Sequence, residues 1–191
     1  MQKIALLFPG QGSQAVGMGK SFIENFSVAS QMVSDASDKL GFDMKSLLLE
    51  PSDKLELTAY SQPAILLVSL MAYRVFESEF ALKPEFAIGH SLGEISAVAS
   101  AGALADMDAV YAVRQRGLWM QEACDGVGAG MMVVLGLADD VVNSICATAQ
   151  LDGKKVWAAN FNADGQVVLA GNKADLEAME PILKEAGAKR C

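Results

Sequence analysis

Residues 86–94, the most informative stretch of the sequence, read Phe86-Ala87-Ile88-Gly89-His90-Ser91-Leu92-Gly93-Glu94. A short apolar run precedes the first glycine, and an alanine-rich helical pattern follows the second. A serine between two glycines, at a sharp turn from a strand into a helix, is typical of a nucleophile elbow. Because that turn is strained, its neighbours must be small, and the two glycines meet the requirement. The stretch therefore predicts an exposed serine at the carboxyl end of a strand and the amino end of a helix, which is typical of a covalent serine enzyme.

The one histidine of the sequence, His90, lies directly before Ser91. A serine hydroxyl is a weak nucleophile until a base accepts its proton. Adjacent side chains at the extended end of a strand point to opposite faces, so His90 is a poor candidate for that base. We expect a structural role for it, through hydrogen bonds around the turn. The base is then either not a histidine or lies in a part of the protein outside this sequence.

The composition indicates a globular cytoplasmic protein. The chain has 191 residues, 52% of them hydrophobic, which suits one or two small domains. A net charge of −8 argues against nucleic acid as a partner, because no basic surface would neutralise phosphates. The apolar run 64–72 is too short to span a bilayer, so no membrane association is expected. Three cysteines without a C-x-x-C pattern indicate reduced thiols, and a single histidine makes a zinc site unexpected.

Apolar periodicity and turn residues predict the elements of the first 125 residues. A helix is expected to start near Ser61-Gln62-Pro63, because serine suits a cap and proline the first turn. Met120 is interpreted as core filler. The remaining predicted elements are a buried strand over 4–8, a turn-rich loop over 9–14, a strand at 86–88, and helices over 22–40, 92–100 and 106–122.

The composition changes at the glycine-rich stretch 124–130, which we interpret as a linker. The pattern after it is strand, helix, two strands joined by a hairpin loop, helix, and the start of a strand at residue 189. This β-α-β-β-α-β order is ferredoxin-like. We therefore expect two subdomains, 1–125 and 126–191. Ending at residue 191 would leave the last strand short and a sheet edge open, so we expect the chain to be incomplete.

The loop Pro9-Gly10-Gln11-Gly12-Ser13-Gln14 follows the first predicted strand. Its glycines allow backbone N–H groups to turn inward toward a ligand. A serine at an elbow needs a second N–H donor for the oxyanion, supplied by the loop of another strand end. The N–H of Gln11 is well placed to be that donor.

Four motifs together resemble the malonyl-CoA:acyl carrier protein transacylase family. In order they are Phe8-Pro9-Gly10-Gln11-Gly12-Ser13-Gln14, Gln62-Pro63-Ala64, Gly89-His90-Ser91-Leu92-Gly93-Glu94 and Arg116-Gly117. The similarity runs from residue 1 to residue 190, and the combination is far more specific than any single motif. The resemblance implies an α/β fold: a hydrolase-like large subdomain with a parallel sheet, incomplete in this chain, and an inserted ferredoxin-like α+β small subdomain.

The resemblance also implies roles for five residues. Ser91 is the expected nucleophile, and the backbone N–H groups of Gln11 and Leu92 are expected to form the oxyanion hole. Arg116 is expected to bind the free carboxylate of the malonyl group, and Gln62 to line the site. Taken alone, an arginine on a helix is more often a surface charge. Its guanidinium nevertheless suits malonate, because it binds a carboxylate through two parallel hydrogen bonds.

The implied reaction moves malonyl from malonyl-CoA to the phosphopantetheine thiol of acyl carrier protein, in fatty acid biosynthesis, through a Ser91 acyl-enzyme. Malonyl-CoA and acyl carrier protein are the expected partners of a cytoplasmic monomer, with no cofactor and no metal. In this family the base is a histidine beyond the small subdomain, which would lie past residue 191. We therefore expect the 191-residue chain to be inactive on its own.

Two other interpretations stay open. An α/β-hydrolase-type esterase uses the same elbow, although neither Arg116 nor an inserted ferredoxin-like unit would be expected in it. Hydrolysis of simple esters without preference for a carboxylate would favour the esterase. A non-catalytic fragment would hold an acyl-CoA or a carrier protein, and binding without acylation of Ser91 would favour that interpretation.

Overall fold

Two small sheets, one parallel and one antiparallel, give this chain a mixed α/β fold. The computed structural model describes residues 3–80 and 83–191, and the chain divides into the units Met1–Glu122 and Ala123–Cys191. In the first unit, strand β1 (Ala5–Phe8) pairs in parallel with β2 (Phe86–Gly89), and Phe8 lies opposite Gly89. The carboxyl ends of both strands therefore lie side by side, and the loops that follow them meet there.

Helices make up most of the first unit. Its elements between and after the strands are α1 (Lys20–Asn25), α2 (Ser27–Leu40), α3 (Met44–Leu49), a 3-10 turn (Asp53–Glu56), α4 (Thr58–Glu79), α5 (Leu92–Ser100) and α6 (Asp106–Cys124). The central helix is α4, whose residues 63–67 are all apolar and all buried, so that this part of the helix is enclosed on every side. Leu66, Leu67, Leu70 and Met71 are fully buried in it. This packing gives the first turns of α4 a rigid base.

Arg74 fastens the far part of α4 to the two helices that follow it. Its Nε and Nη2 donate to the Asp106 carboxylate at 2.9 and 2.8 Å, and Nη2 also donates to the Ala99 carbonyl at 3.3 Å. The side chains of Arg74 and Asp106 are only 24% and 20% exposed, so solvent screens the pair weakly. The hydrogen bonds to Asp106 raise the pKa of Arg74 above its usual value. The end of α5 and the start of α6 are thus held against α4.

The second unit is a three-stranded antiparallel sheet with two helices. Its elements are β3 (Ala129–Leu135), α7 (Asp139–Leu151), β4 (Val156–Ala163), β5 (Gln166–Asn172) and α8 (Lys173–Glu185). The strand order is β3-β5-β4, and Leu135 also forms an isolated antiparallel bridge with Arg190. Val134, Val142, Leu169, Met179 and Leu183 form the centre of the core.

The helix predicted over 22–40 is two helices. Phe26 separates α1 from α2 with an extended backbone, at φ −130° and ψ 121°. The spacing of apolar residues continues across this break, because Phe22 and Phe26 both pack against the same core. Periodicity alone could not reveal the interruption. Gly41 ends α2 as predicted, with a left-handed φ of 73°.

The predicted start of α4 is also wrong, because the helix begins at Thr58 rather than near Ser61. Pro63 is therefore not in the first turn but is the sixth residue of the helix. Proline has no backbone N–H, so the carbonyl of Ala59, four residues earlier, lacks its usual helical donor. The Arg114 guanidinium on α6 donates to that carbonyl at 2.5 Å. A side chain from another helix thus makes the proline tolerable.

Within residues 3–80 and 83–191, no helix is both long and apolar enough to cross a bilayer. The same residues contain no group of three His, Cys, Asp or Glu side chains that could hold a metal ion.

Candidate active site

Ser91 occupies the turn between β2 and α5 in a strained backbone conformation. Its φ is 52° and its ψ is −98°, and it is the one non-glycine residue with a positive φ in the part of the chain that the structure describes. Such a conformation costs about 1–3 kcal/mol and persists only where its surroundings enforce it. The turn is closed by the Gly93 N–H, which donates to the His90 carbonyl at 2.9 Å. The serine side chain is exposed at this point.

The two glycines of the elbow are required by close backbone contacts. A Cβ atom on Gly89 would overlap the backbone of Gly93, and a Cβ on Gly93 would overlap the carbonyl oxygen of Phe8. The end of β1 therefore touches the first turn of α5 with no room for a side chain. This contact holds the turn in place and presents Ser91 beyond it.

Arg116 joins the Ser91 hydroxyl to a buried amide. Its Nη2 donates to Ser91 Oγ at 2.7 Å, and its Nη1 donates to Gln62 Oε1 at 2.6 Å. Gln62 is fully buried in α4, so its amide needs polar partners inside the protein. The guanidinium supplies one of them and is in turn fixed beside Ser91. Three residues that are distant in sequence are thereby brought together.

The other end of the Gln62 amide connects to the loop after β1. Gln62 Nε2 lies 3.4 Å from Gln11 Oε1 and 3.2 Å from the Met120 sulfur. Gln11 Nε2 donates to Thr58 Oγ1 at 3.2 Å. The side chains of Gln11, Gln62, Arg116 and Ser91 thus form one continuous polar network.

The loop that carries Gln11 packs directly on the elbow. A Cβ on Gly10 would lie 2.9 Å from the His90 carbonyl oxygen, so the two backbones are nearly in contact. Leu92 is the first residue of α5, where helix N–H groups have no helical acceptor and the dipole favours negative charge. Among the described residues, the backbone N–H groups of Gln11 and Leu92 have no acceptor. Both are available to a bound group.

His90 takes no part in this network through its side chain. Its imidazole is exposed and lies against Gly10, and it forms no hydrogen bond with another residue of the described chain. The hydrogen bond that we expected from His90 is made instead by its backbone carbonyl, which accepts from Gly93. His90 is therefore not positioned as the base for Ser91.

The sequence patterns assign no role in the site to three residues that lie around it, Met120, Thr58 and Arg114. The interpretation of Met120 as core filler is wrong, because the residue is 40% exposed and its sulfur contacts Gln62. Helical spacing could have identified two of the three, since Met120 lies four residues after Arg116, and Thr58 lies four residues before Gln62. No local pattern indicates the contact of Arg114 with Ala59, which joins two different helices.

The charge of the Arg116 guanidinium is not neutralised by any carboxylate in the part of the chain that the structure describes. Among the described residues it forms no ion pair, and its two hydrogen bonds go to neutral oxygens. A planar guanidinium can bind a carboxylate with two parallel hydrogen bonds. The position beside Ser91 is thus suited to an anionic group.

The acyl transferase domain family matches residues 5–190. The malonyl CoA-acyl carrier protein transacylase of Haemophilus influenzae is 44% identical over 100% of this chain, which spans 61% of that relative. A crystal structure of the malonyl-CoA:acyl carrier protein transacylase from Helicobacter pylori is 52% identical, with a TM-score of 0.92 over 100% of this chain and 61% of that one. A type II PKS acyl-carrier protein in complex with its malonyl-transacylase provides another match, at 38% identity and a TM-score of 0.92 over 99% of this chain and 61% of that one.

These matches confirm the resemblance that the motifs predicted. The parallel and antiparallel sheets together also match the mixed α/β fold of the solved structures. The chain spans about 61% of the length of the curated relative named above.

The strain at Ser91 predicts an unusual order of stability for two variants. Ser91→Ala removes the hydroxyl but keeps a Cβ at positive φ, whereas Ser91→Gly removes both. Relief of the strain should exceed the extra entropy lost by glycine, so Ser91→Gly should be more stable than Ser91→Ala by about 1 kcal/mol. Urea unfolding followed by circular dichroism measures the difference. Equal stability, or a more stable alanine variant, would show that the backbone of Ser91 is not strained.

Proposed function

Because the chain belongs to the acyl transferase domain family, we propose that it serves the transfer of malonyl from malonyl-CoA to the phosphopantetheine thiol of acyl carrier protein, in fatty acid biosynthesis. The relatives that it matches are transacylases of this name. One observation within the chain carries the proposal: the unpaired Arg116 guanidinium lies 2.7 Å from Ser91 Oγ. A malonyl thioester has the complementary arrangement, with a carboxylate two bonds from its reactive carbonyl carbon.

In the first half-reaction, Ser91 Oγ attacks the thioester carbonyl of malonyl-CoA. A C–O bond forms, and the carbonyl oxygen becomes an oxyanion, for which the N–H groups of Gln11 and Leu92 are the proposed donors. The C–S bond then breaks, and coenzyme A leaves as a thiol that has gained the proton given up by Ser91. The product is a malonyl ester of Ser91. His90 is turned toward Gly10 and is not the group that moves this proton.

In the second half-reaction, the phosphopantetheine thiol of acyl carrier protein attacks the ester. A C–S bond forms, the C–O bond to Ser91 breaks, and the thiol proton returns to Ser91 Oγ. The same two N–H donors serve the second oxyanion, because the reacting carbonyl has the same place in both steps. Of the relatives described above, one was solved as a complex between a malonyl-transacylase and an acyl-carrier protein.

Arg116 must exchange partners when the substrate binds. In the free site its Nη2 donates to Ser91 Oγ and its Nη1 to Gln62. We propose that the malonyl carboxylate takes over from Ser91 while Gln62 keeps its hydrogen bond. The charge-assisted bond to the carboxylate is stronger than the bond to a neutral hydroxyl, so the exchange is favourable. An acetyl group offers no carboxylate and leaves the guanidinium on the nucleophile.

The finer description of the fold is part of the same proposal. We propose that residues 1–125 belong to a hydrolase-like subdomain and that residues 126–191 form a ferredoxin-like one. The Leu135–Arg190 bridge supports the second assignment, because it adds a chain segment beside β3 and gives the order expected of that fold. A cytoplasmic monomer that associates with neither nucleic acid nor membrane stays the prediction drawn from composition and from the family resemblance.

The proposal predicts a covalent malonyl adduct on Ser91. The full-length gene product is incubated with malonyl-CoA, quenched, digested and mapped by mass spectrometry. The adduct should lie on the peptide that contains Ser91 and should be absent from Ser91→Ala. Ser96→Ala is the matched control, because Ser96 is a buried serine of α5, the helix that follows Ser91, and its hydroxyl lacks a partner among the described residues. An adduct that persists at the wild-type level in Ser91→Ala would refute the role of Ser91.

The proposal also predicts that Arg116 selects malonyl over acetyl. Arg116→Ala removes charge-assisted hydrogen bonds worth about 1.5–3 kcal/mol each, so kcat/KM for malonyl-CoA should fall by about tenfold or more. Acetyl transfer should be unchanged or faster, since Ser91 is released. The kcat/KM of Arg116→Lys for malonyl-CoA should lie between those of wild type and Arg116→Ala, because lysine keeps the positive charge but lacks the planar guanidinium. An equal loss for both substrates would assign Arg116 a structural role, and hydrolysis without preference for a carboxylate would favour the esterase.

A further inference from the structure

The carbonyl of Ala59 is a buried acceptor that its own helix cannot satisfy. Ala59 is 2% exposed, and its helical donor would be the N–H of residue 63, which is proline. A buried carbonyl without a partner is costly, so the position calls for a donor from elsewhere. Arg114 Nη1 supplies it at 2.5 Å. Pro63 thus leaves the Ala59 carbonyl in need of a hydrogen-bond donor, and a residue of α6 provides it.

Arg114 is held in this role by two aromatic rings. Its guanidinium carbon lies 4.2 Å from the centre of the Tyr60 ring and 5.4 Å from that of Phe42. The two rings pack edge to face, with their centres 5.2 Å apart. A guanidinium that stacks on aromatic rings while it donates to a carbonyl has little freedom to move. Arg114 therefore forms a rigid connection between α6 and the start of α4.

Gly117 makes a second contact between the same two segments. A Cβ on Gly117 would lie 2.7 Å from the Thr58 carbonyl oxygen and 2.8 Å from the Ala59 Cα, so the backbones touch without a side chain between them. Arg114 and Gly117 are three residues apart and share one face of α6. Arg116 lies between them in sequence and reaches Gln62 and Ser91. The two contacts thus bracket the residue that binds the anion.

We propose that Arg114 is a positioning residue for carboxylate recognition. By giving Ala59 the hydrogen bond that Pro63 cannot, it sets the position of α6 on the first turns of α4. That position determines whether the Arg116 guanidinium reaches Gln62 and Ser91 together. The claim rests on the proposed function in so far as malonyl is the substrate. A displacement of about 1 Å at a reacting site can cost a hundredfold in rate, so a modest shift of α6 is enough to matter.

The test compares Arg114→Met with Pro63→Ala/Arg114→Met in the full-length protein. Methionine keeps an apolar side chain in contact with the rings but cannot donate. The second change returns an N–H at residue 63, which can donate to Ala59 from within the helix. Arg114→Met should lower kcat/KM for malonyl-CoA by about tenfold or more, with a smaller loss for acetyl-CoA. The double variant should recover to within about threefold of the Pro63→Ala single variant.

A second readout does not depend on activity. Phenylglyoxal modifies accessible arginines, and peptide mapping follows the rate at Arg116 alone. Arg114→Met should modify several-fold faster at Arg116 than wild type, because the guanidinium loses its fixed partners, and the double variant should return to the slow rate. If wild type shows no malonyl transfer, the proposed function fails, while the modification rates still decide whether Arg114 positions Arg116.

Three outcomes would overturn the proposal. One is an Arg114→Met protein with the wild-type ratio of malonyl to acetyl transfer and the wild-type rate of modification at Arg116. Another is equal loss for both substrates with a lowered melting temperature and unchanged modification, which marks a purely structural role. If Arg114→Met does not fold, a folded double variant that has lost the malonyl preference or the slow modification at Arg116 contradicts the claim, because its Ala59 carbonyl has a donor again.

Discussion

The contact between the end of β1 and the first turn of α5 fixes the position of Ser91 and of the groups around it. Gly93 approaches the Phe8 carbonyl so closely that no side chain fits, and Gly89 approaches Gly93 in the same way. These contacts force the chain to turn within two residues, and Ser91 takes the strain, with a φ of 52°. Because these contacts fix the path of the backbone, the serine is exposed at the carboxyl end of the strands and the amino end of a helix.

A second close contact, between α6 and the start of α4, positions the positive charge of Arg116. It has its own close contact at Gly117 and its own unusual hydrogen bond, from Arg114 to the carbonyl that Pro63 leaves without a donor. Gln62 connects these two contact regions, because its buried amide contacts both Arg116 on α6 and Gln11 in the loop after β1. A strained serine and an unpaired guanidinium are thus held at 2.7 Å by two rigid backbone contacts rather than by flexible surface loops.

The elbow could be predicted from sequence because its physics is local. Two glycines around a serine, after a strand and before a helix, have few other uses, and α5 has the predicted limits. The start of α4 could not be predicted in the same way. A proline usually marks a first turn, and its presence at the sixth helical residue depends on a donor 51 positions later in the chain, as the numbering of Pro63 and Arg114 shows.

The role of Arg116 also lay beyond local pattern. One arginine on a helix resembles any other until its neighbours in space are known, and only the family resemblance singled it out. Thr58 and Met120 were within reach of helical spacing once Gln62 and Arg116 were chosen. Arg114 could not be identified in this way, because its partner is a backbone carbonyl on another helix. That carbonyl needs a side-chain donor only because Pro63 has no N–H. What sequence cannot provide here is the contact between helices that are far apart in the chain.

A crystal structure of the full-length protein trapped as the malonyl ester of Ser91 would test the proposed site at the level of single atoms. We expect the malonyl carboxylate to lie within hydrogen-bond distance of Arg116 Nη2, with Gln62 still accepting from Nη1. We also expect the ester carbonyl oxygen to face the N–H groups of Gln11 and Leu92. A malonyl carboxylate that points into solvent, with Arg116 left on Ser91 Oγ or turned away from it, would contradict the proposed role of Arg116.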